Sequence, residues 1–227
     1  MKLTINWFDN HIDFRNTINI LEIHDVKLYS KTIFKINNSI KHNEDSQDIL
    51  LVDDNGIEQL SKHMLIIIDL FNIDINSKNI LNKLYSKIEQ ISRLDNDINQ
   101  DLSKLISKIV MYIKDKLYEL PFEYEINNNI TIKDLLKVTS IKIDTSKYET
   151  LLEQVFFYID VITEFKLCNI LIFVNIKSYF SEKDLNLIYE YCLNKKISIL
   201  IIENNKNKLL KYEKKLTITS DFDDFCE

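Results

Sequence analysis

The chain has 227 residues, 45% of them hydrophobic, with a formal net charge of −6. This length and apolar content suffice for one large domain, or for a core domain with an appended arm. Gly56 is the only glycine, which excludes the standard phosphate loop, the dinucleotide-binding fingerprint and the nucleophile elbow, since each needs at least two glycines in one short loop.

The composition also predicts a cytoplasmic protein. No run of about 18 apolar residues, the length of a transmembrane helix, is present, and residues 1–10 lack the apolar core of a signal peptide. Cys168, Cys192 and Cys226 are odd in number and far apart, which favours reduced thiols, the first two as apolar filler. The negative charge argues against a general nucleic-acid coat protein, yet the 29 Lys and Arg residues can still form a local basic surface.

The first part of the chain is predicted to contain strands at residues 2–8 and 17–23, with a short helix at 25–36. The apolar run at residues 49–52 ends at Asp53 and Asp54 and predicts a buried strand. In nucleotide hydrolases, an acidic residue at the end of such a strand holds magnesium. Without a phosphate loop, that metal would have no bound nucleotide phosphates to act on. The two interpretations are a metal site at Asp53 or Asp54, and a strand end followed by a turn.

Residues 57–120 carry a helical pattern. We expect a helix around residues 61–71 and then a helical hairpin whose break lies near residues 95–97. Its apolar residues recur at steps of three and four: Ile80, Leu84, Ile88 and Ile91, then Ile98, Leu102, Leu105, Ile109, Ile113 and Leu117. Such a stripe is ordinarily internal packing, although helices that protrude from a domain can also present it to another subunit.

An acidic segment follows the hairpin. Pro121 ends the long helix, and Glu119, Glu123 and Glu125 cluster around it, with residues 127–129 (all Asn) close behind. Several oxygen donors on a turn suit calcium, a hard ion that accepts irregular geometry. A solvated acidic hinge is the alternative interpretation.

The last part of the chain predicts a parallel sheet. Thr131 and Asp134 have the spacing of a capping box before a short helix, and residues 141–143 form a candidate strand. A helix at 148–165, a buried strand at 169–175, a helix from Ser181 to about residue 193 and a buried strand at 197–202 then follow. Continuous apolar strands separated by helices indicate parallel pairing with both faces covered. The predicted architecture is a parallel or mixed α/β core built from both chain ends, with a helical arm inserted between them.

Lysines concentrate in two places. The first set is Lys133, Lys137 and Lys142, and the second is Lys206, Lys208, Lys211, Lys214 and Lys215. They form either a solvated surface or a surface that follows phosphates. Only two arginines are present, so bidentate recognition of guanine would be minor, and any DNA binding would be independent of sequence and sensitive to salt.

Several of these segments together resemble the short form of the Csn-two (Csn2) family, the ring-forming spacer-acquisition protein of type II-A CRISPR systems. The resemblance is carried by residues 130–137 (ITIKDLLK), 141–144 (IKID), 171–175 (LIFVN) and 179–184 (YFSEKD), and by the acidic segment at Glu119, Glu123 and Glu125. Residues 20–26 and the strand ending at Asp53 fit more loosely. The order and length of the segments agree over nearly the whole chain.

The resemblance implies an α/β head that looks like a nucleotide-hydrolase fold without its phosphate loop, spanning residues 1–56 and 138–227. It implies an inserted helical leg domain at residues 57–137. Four copies would form a cytoplasmic ring that accepts ends of double-stranded DNA in a lysine-lined hole, here Lys133, Lys137, Lys142, Lys206 and Lys208. Calcium would stabilise the assembly through Glu119, Glu123 and Glu125.

The resemblance further implies a non-enzymatic role in antiviral defence, with the CRISPR integrase subunits and the RNA-guided effector nuclease as partners. Two other functions stay open on the residues alone. One is a divergent nucleotide hydrolase that uses Asp53 or Asp54. The other is a scaffold whose helical arm docks a protein without contacting DNA.

Overall fold

The computed structural model describes residues 1–15, 17–42, 47–93, 96–126, 129–221 and 223–227. These residues form two compact units: residues 1–73 with 145–227, and residues 74–144. The first unit is an α/β unit built from both parts of the chain, and the second is helical. Residues 57–73 therefore lie in the first unit and residues 138–144 in the second, which differs from the predicted boundaries.

A six-stranded mixed sheet is the centre of the first unit, as the predicted fold class requires. Its strands lie in the order β10-β9-β3-β8-β7-β6. They are β3 (Ile18–Ile23), β6 (Met64–Ile67), β7 (Ile170–Val174), β8 (Ser198–Glu203), β9 (Glu213–Ile218) and β10 (Asp224–Cys226). All neighbours pair in parallel except β10, which is antiparallel to β9. The predicted parallel pairing of the two apolar strands, β7 and β8, is confirmed.

The strands of this sheet are apolar on both faces because both faces are covered. One face shares a core with a small antiparallel sheet, ordered β2-β1-β4-β5, and with helix α1 (Val26–His42). The small strands are β1 (Lys2–Ile5), β2 (Ile12–Asp13), β4 (Ile49–Asp53) and β5 (Gly56–Glu58). Helices α6 (Leu151–Phe165) and α7 (Glu182–Asn194) pack together, and α7 contacts β8.

Capping boxes fix where several helices begin. Ser181 accepts the N–H of Asp184 at the start of α7, and the carboxylate of Asp184 accepts the backbone N–H of Ser181. Thr150 and Glu153 do the same for α6. The predicted start of α7 at Ser181 is therefore confirmed, and α6 begins a few residues after its predicted start.

The helical unit contains the predicted hairpin. Its helices are α3 (Lys78–Arg93), α4 (Asn96–Leu117) and α5 (Ile132–Val138). Residue 95, within the expected break, lies outside the described residues. Thr131 and Asp134 form the predicted capping box of α5.

Two local predictions are wrong, and one strand was not predicted. Residues 61–71 are not one helix: the short helix α2 (Leu60–His63) leads into β6, because Met64–Ile67 pairs with β7. Residues 141–143 are not a strand, since the N–H and C=O of Ile143 bond the side chain of Asn76 at 2.7 and 3.1 Å. The lysine-rich segment after residue 203 contains the regular strand β9, which pairs with β3.

Non-glycine residues occupy left-handed backbone positions that glycine commonly fills. They include Lys166, at the end of α6, and Asn175, directly after β7, with φ of 48° and 56°. Gly56 itself has φ of 131° in the β4–β5 hairpin. Among the residues described, no helix is both long and apolar enough to cross a bilayer.

Candidate metal and nucleic-acid binding regions

The acidic segment lies on the helical unit. Glu119, Glu123 and Glu125 are all exposed, and Glu119 Oε1 accepts a hydrogen bond from Lys116 Nζ at 3.0 Å. Carboxylates are the donors that calcium prefers, so the chemistry fits the ion. Within the described ranges, however, no three His, Cys, Asp or Glu side chains are grouped so as to hold a metal. Asn127 and Asn128 lie outside the described residues.

An open groove of about 840 Å³ borders the acidic segment. It is lined by Lys114, Asp115, Leu117, Tyr118, Leu120, Phe122, Glu123, Tyr124 and Ile126. Several of its aromatic side chains are largely solvent-exposed in the single chain: Tyr118 is 94% and Phe122 71% accessible. Large apolar side chains are normally buried, so this surface is suited to contact with another molecule.

The apolar surface continues along α4. Leu105, Ile109 and Ile113 of the predicted stripe are exposed, together with Met111 and Tyr112 on the same helix. By contrast, Ile80 of α3 is buried, 3% accessible. The stripe therefore divides into a part that packs inside the helical unit and a part that the unit leaves uncovered.

The first lysine set lies in and just after α5. Lys137 Nζ pairs with Asp134 Oδ1 at 3.1 Å. The Thr131 hydroxyl, then Lys137 and the Thr131 backbone N–H, lower the pKa of Asp134 to about 2 by hydrogen bonding. Lys206 and Lys208, of the second set, follow β8 in the first unit, and Lys208 Nζ is 4.0 Å from Glu182 Oε1.

Three of the five lysines proposed to contact DNA (Lys133, Lys137, Lys142, Lys206 and Lys208) are available to bind phosphate. Lys133, Lys142 and Lys206 make no ion pair with any residue that the structure describes. Lys142 and Lys206 are exposed and Lys133 is half-buried. The unpaired lysines therefore occur in both units of the chain.

The strand that ends at Asp53 is followed by a turn. Asp53 Oδ1 accepts the N–H groups of Asn55 and Gly56 at 2.7 and 3.1 Å, and the pKa of Asp53 is lowered, chiefly by the bond from Asn55. Its strand, β4, belongs to the small antiparallel sheet and not to the parallel one. The interpretation as a strand end followed by a turn is confirmed.

The cysteines and two of the histidines have structural roles. All three cysteines are free, with Cys168 and Cys192 buried, and burial raises the pKa of Cys168 to about 12. His24 Nε2 lies 2.7 Å from Glu22 Oε1 and His63 Nε2 lies 3.2 Å from Glu58 Oε2. Each of these two histidines is therefore held by a neighbouring glutamate.

A buried charged network lies in the first unit and was not predicted. Glu22, Glu203 and Glu213 are at most 6% accessible. Lys177 Nζ lies 2.8 Å from Glu213 Oε2, and the hydroxyl of Tyr189 donates to Glu213 Oε1 at 2.7 Å. A usable signal was the presence of Glu22 and Glu203 within or at the end of otherwise apolar strands, since such acids need buried partners.

Comparison with known proteins gives consistent matches. The model of a family described as CRISPR-associated protein (Cas_Csn2) matches residues 41–222. A CRISPR-associated protein Csn2 of Streptococcus agalactiae is 27% identical over 186 residues, covering 81% of this chain and 80% of that protein. A CRISPR-associated protein Csn2 of Enterococcus faecalis is 25% identical over 162 residues, covering 66% and 73%. The crystal structure of Stu0660 of Streptococcus thermophilus shares the fold, with a TM-score of 0.60, 12% identity and coverage of 96% and 74%.

Proposed function

The chain belongs to the Csn2 family of CRISPR-associated proteins, and from this premise we propose that it supports the acquisition of new spacers by binding ends of double-stranded DNA. It does so in the cytoplasm as a ring of four copies and catalyses no reaction. Its partners in the proposal are the CRISPR integrase subunits and the RNA-guided effector nuclease. The observation that carries the proposal is the family match over residues 41–222.

The exposed apolar surface of the helical unit supports assembly. Tyr112, Tyr118 and Phe122 are at least 66% accessible in the single chain, and a surface of this kind is stabilised by burial against a second copy. Closed symmetric rings are a common way for one chain to cover such a surface.

Unpaired lysines on both units support DNA binding. Lys133, Lys142 and Lys206 have no carboxylate partner in the described part of the chain, so each is able to neutralise a phosphate. Lysine is a point charge without a planar fork, which favours contacts to the DNA backbone over recognition of bases. A ring can collect these lysines around its hole although each chain is negative overall.

The proposed calcium ligands are Glu119, Glu123 and Glu125. These carboxylates are exposed and not grouped in the single chain, so binding requires them to move together. A divalent cation would offset their mutual repulsion and fix the acidic segment. Nucleotide hydrolysis at Asp53 is not part of this function, because the Asp53 carboxylate accepts the N–H groups of Asn55 and Gly56 in a turn.

The test combines native mass measurement with fluorescence anisotropy on a short linear duplex, with and without calcium. We expect a four-copy complex and tighter DNA binding in calcium than in EGTA, because the ion fixes the assembly. Equal binding in both would remove the calcium part of the proposal. A monomer that ignores linear duplexes in either buffer would refute the whole.

Matched variants separate the two sites. Glu119→Gln, Glu123→Gln and Glu125→Gln combined should abolish the calcium effect, whereas Glu149→Gln, Glu190→Gln and Asp221→Asn combined remove the same charge elsewhere and should retain it.

Each lysine that contacts phosphate should lower the slope of log affinity against log salt by about 0.9 when changed to Gln. Lys27→Gln, on the exposed surface of α1, is the control and should leave the slope unchanged.

A further inference from the structure

Glu203, the last residue of β8, has a carboxylate oxygen without a partner. The side chain is fully buried, and its Oε1 accepts the backbone N–H of Lys177 at 3.0 Å. Its Oε2 is buried and accepts no hydrogen bond from the residues that the structure describes. An unsatisfied buried carboxylate oxygen is costly, so a ligand or a proton is expected there.

Two further buried oxygens lie in the same place. The hydroxyl of Tyr29 in α1 and Oδ1 of Asn175, directly after β7, are likewise buried; their side chains interact with each other, and neither oxygen bonds any other described residue. Asn175 is held beside β8, because its N–H donates to the carbonyl of Ile202 at 3.0 Å. Burial, then the charge of Glu203, raises the pKa of Tyr29 to about 12, and the Asn175 side chain opposes that shift.

The charges around these oxygens do not balance. Glu22 and Glu213 are buried nearby, and each adds to the rise in the pKa of Glu203 that burial causes first. Lys177 Nζ is engaged by Glu213 at 2.8 Å. Lys215 Nζ lies 3.9 Å from Glu22 but 2.8 Å from Glu227.

The count of buried charges therefore leaves an excess. Among the described residues, Lys177 and Lys215 are the lysines paired with this group of carboxylates, and Lys215 is shared with Glu227. His24 donates to Glu22 through Nε2 whether or not the ring is charged. With the His24 ring neutral, the three buried glutamates exceed the two lysines by one negative charge.

We propose that Tyr29, Asn175 and Glu203 form a binding site for a monovalent cation, Na⁺ or K⁺, at the carboxyl ends of β7 and β8. Hydroxyl, amide and carboxylate oxygens are hard donors suited to such an ion. A single positive charge matches the excess, whereas a divalent cation such as calcium would exceed it. The carboxyl ends of parallel strands are also where open α/β sheets bind ligands.

The bound ion ties three elements together and is independent of the calcium proposal. Tyr29 belongs to α1, Asn175 follows β7 and Glu203 ends β8, all within the first unit. The ion should therefore stabilise this unit against unfolding. None of the acidic-segment residues takes part, so removing calcium leaves the effect intact.

The test is urea unfolding in EGTA, followed by the fluorescence of Trp7, the only tryptophan. Sodium, potassium and tetramethylammonium chloride are compared at equal ionic strength. With a small cation at about ten times its Kd, the folding equilibrium constant should rise about 11-fold over tetramethylammonium. Equal midpoints in all three salts would overturn the proposal and leave a buried water or a proton as the partner of Glu203.

Two variants remove the site by different routes. Glu203→Gln removes the charge, and Tyr29→Phe removes one ligand while retaining the ring. Both should lose the difference between the salts, and the exposed control Glu190→Gln should keep it. If Glu203→Gln does not fold, Tyr29→Phe alone decides the question, and a full salt difference in either variant would refute the site.

Discussion

Replacing Lys177 by methionine should destabilise the first unit strongly. Lys177 Nζ and Glu213 Oε2 are 2.8 Å apart, with side chains 5% and 0% accessible. Methionine retains much of the lysine volume but removes the charge. Among the described residues, Glu213 would then keep the hydroxyl of Tyr189 and the N–H of Leu210 as donors.

The magnitude follows from burial. Removing one partner of a buried ion pair costs about 3–5 kcal/mol, because the other charge stays in the interior uncompensated. This corresponds to a folding equilibrium constant lowered between about 100-fold and 5,000-fold. The pair between Lys195 and Asp160 has the same length, 2.8 Å, but is 35% and 45% accessible. Lys195→Met should therefore leave the free energy of unfolding nearly unchanged.

Urea unfolding followed by Trp7 fluorescence measures both variants in the unit that contains the pair. Combining Lys177→Met with Glu213→Gln should cost less than Lys177→Met alone, because the stranded charge is gone. The reasoning is refuted if Lys177→Met costs no more than Lys195→Met.

Three smaller predictions follow from the turns and caps. Gly56→Ala should cost about 1–3 kcal/mol in urea unfolding through backbone strain alone, since a Cβ there meets no atom within 4 Å; an unchanged midpoint would contradict it. Ser181→Ala should cost about 1 kcal/mol and Ser181→Asn much less, because only the second keeps a capping oxygen; equal losses would count against the cap. Asp134, with its pKa lowered to about 2, should contribute to α5 above the ordinary aspartate pKa and lose that contribution as pH falls through about 2. Thr131→Val should move the NMR-measured pKa of Asp134 back towards the ordinary value, and an unshifted titration would show that the hydroxyl is not its cause.

Elements with local signals could be predicted from the sequence. The caps at Thr131 and Ser181 bond residues three positions away, so the whole motif is visible in one short window. Strands β7 and β8 are apolar throughout, which is typical of buried parallel strands. The fold class followed from these segments.

Elements decided by distant partners could not be predicted. Met64–Ile67 is a strand because it pairs with β7, about a hundred residues further along the chain. Strand β9 was not predicted, because its lysines interrupt the apolar pattern, although Leu216–Ile218 is buried. Ile143 bonds the Asn76 side chain instead of a neighbouring strand, and no sequence period records such a contact.

The candidate sites divide in the same way. Exposed groups such as Glu123 and Lys206 are candidates because they cluster along the chain. The oxygens of Tyr29, Asn175 and Glu203 come from three separate elements, and only the packing of α1 against the sheet brings them together.

The position of β3 has a consequence for biosynthesis. This strand lies between β8 and β9 in the sheet, so the central ladder of the first unit cannot close until almost the entire chain has left the ribosome. Helices α3, α4 and α5 are contiguous along the chain and rich in local contacts, which fold fastest. The inserted helices can therefore fold on the nascent chain while β3 still lacks its neighbours β8 and β9.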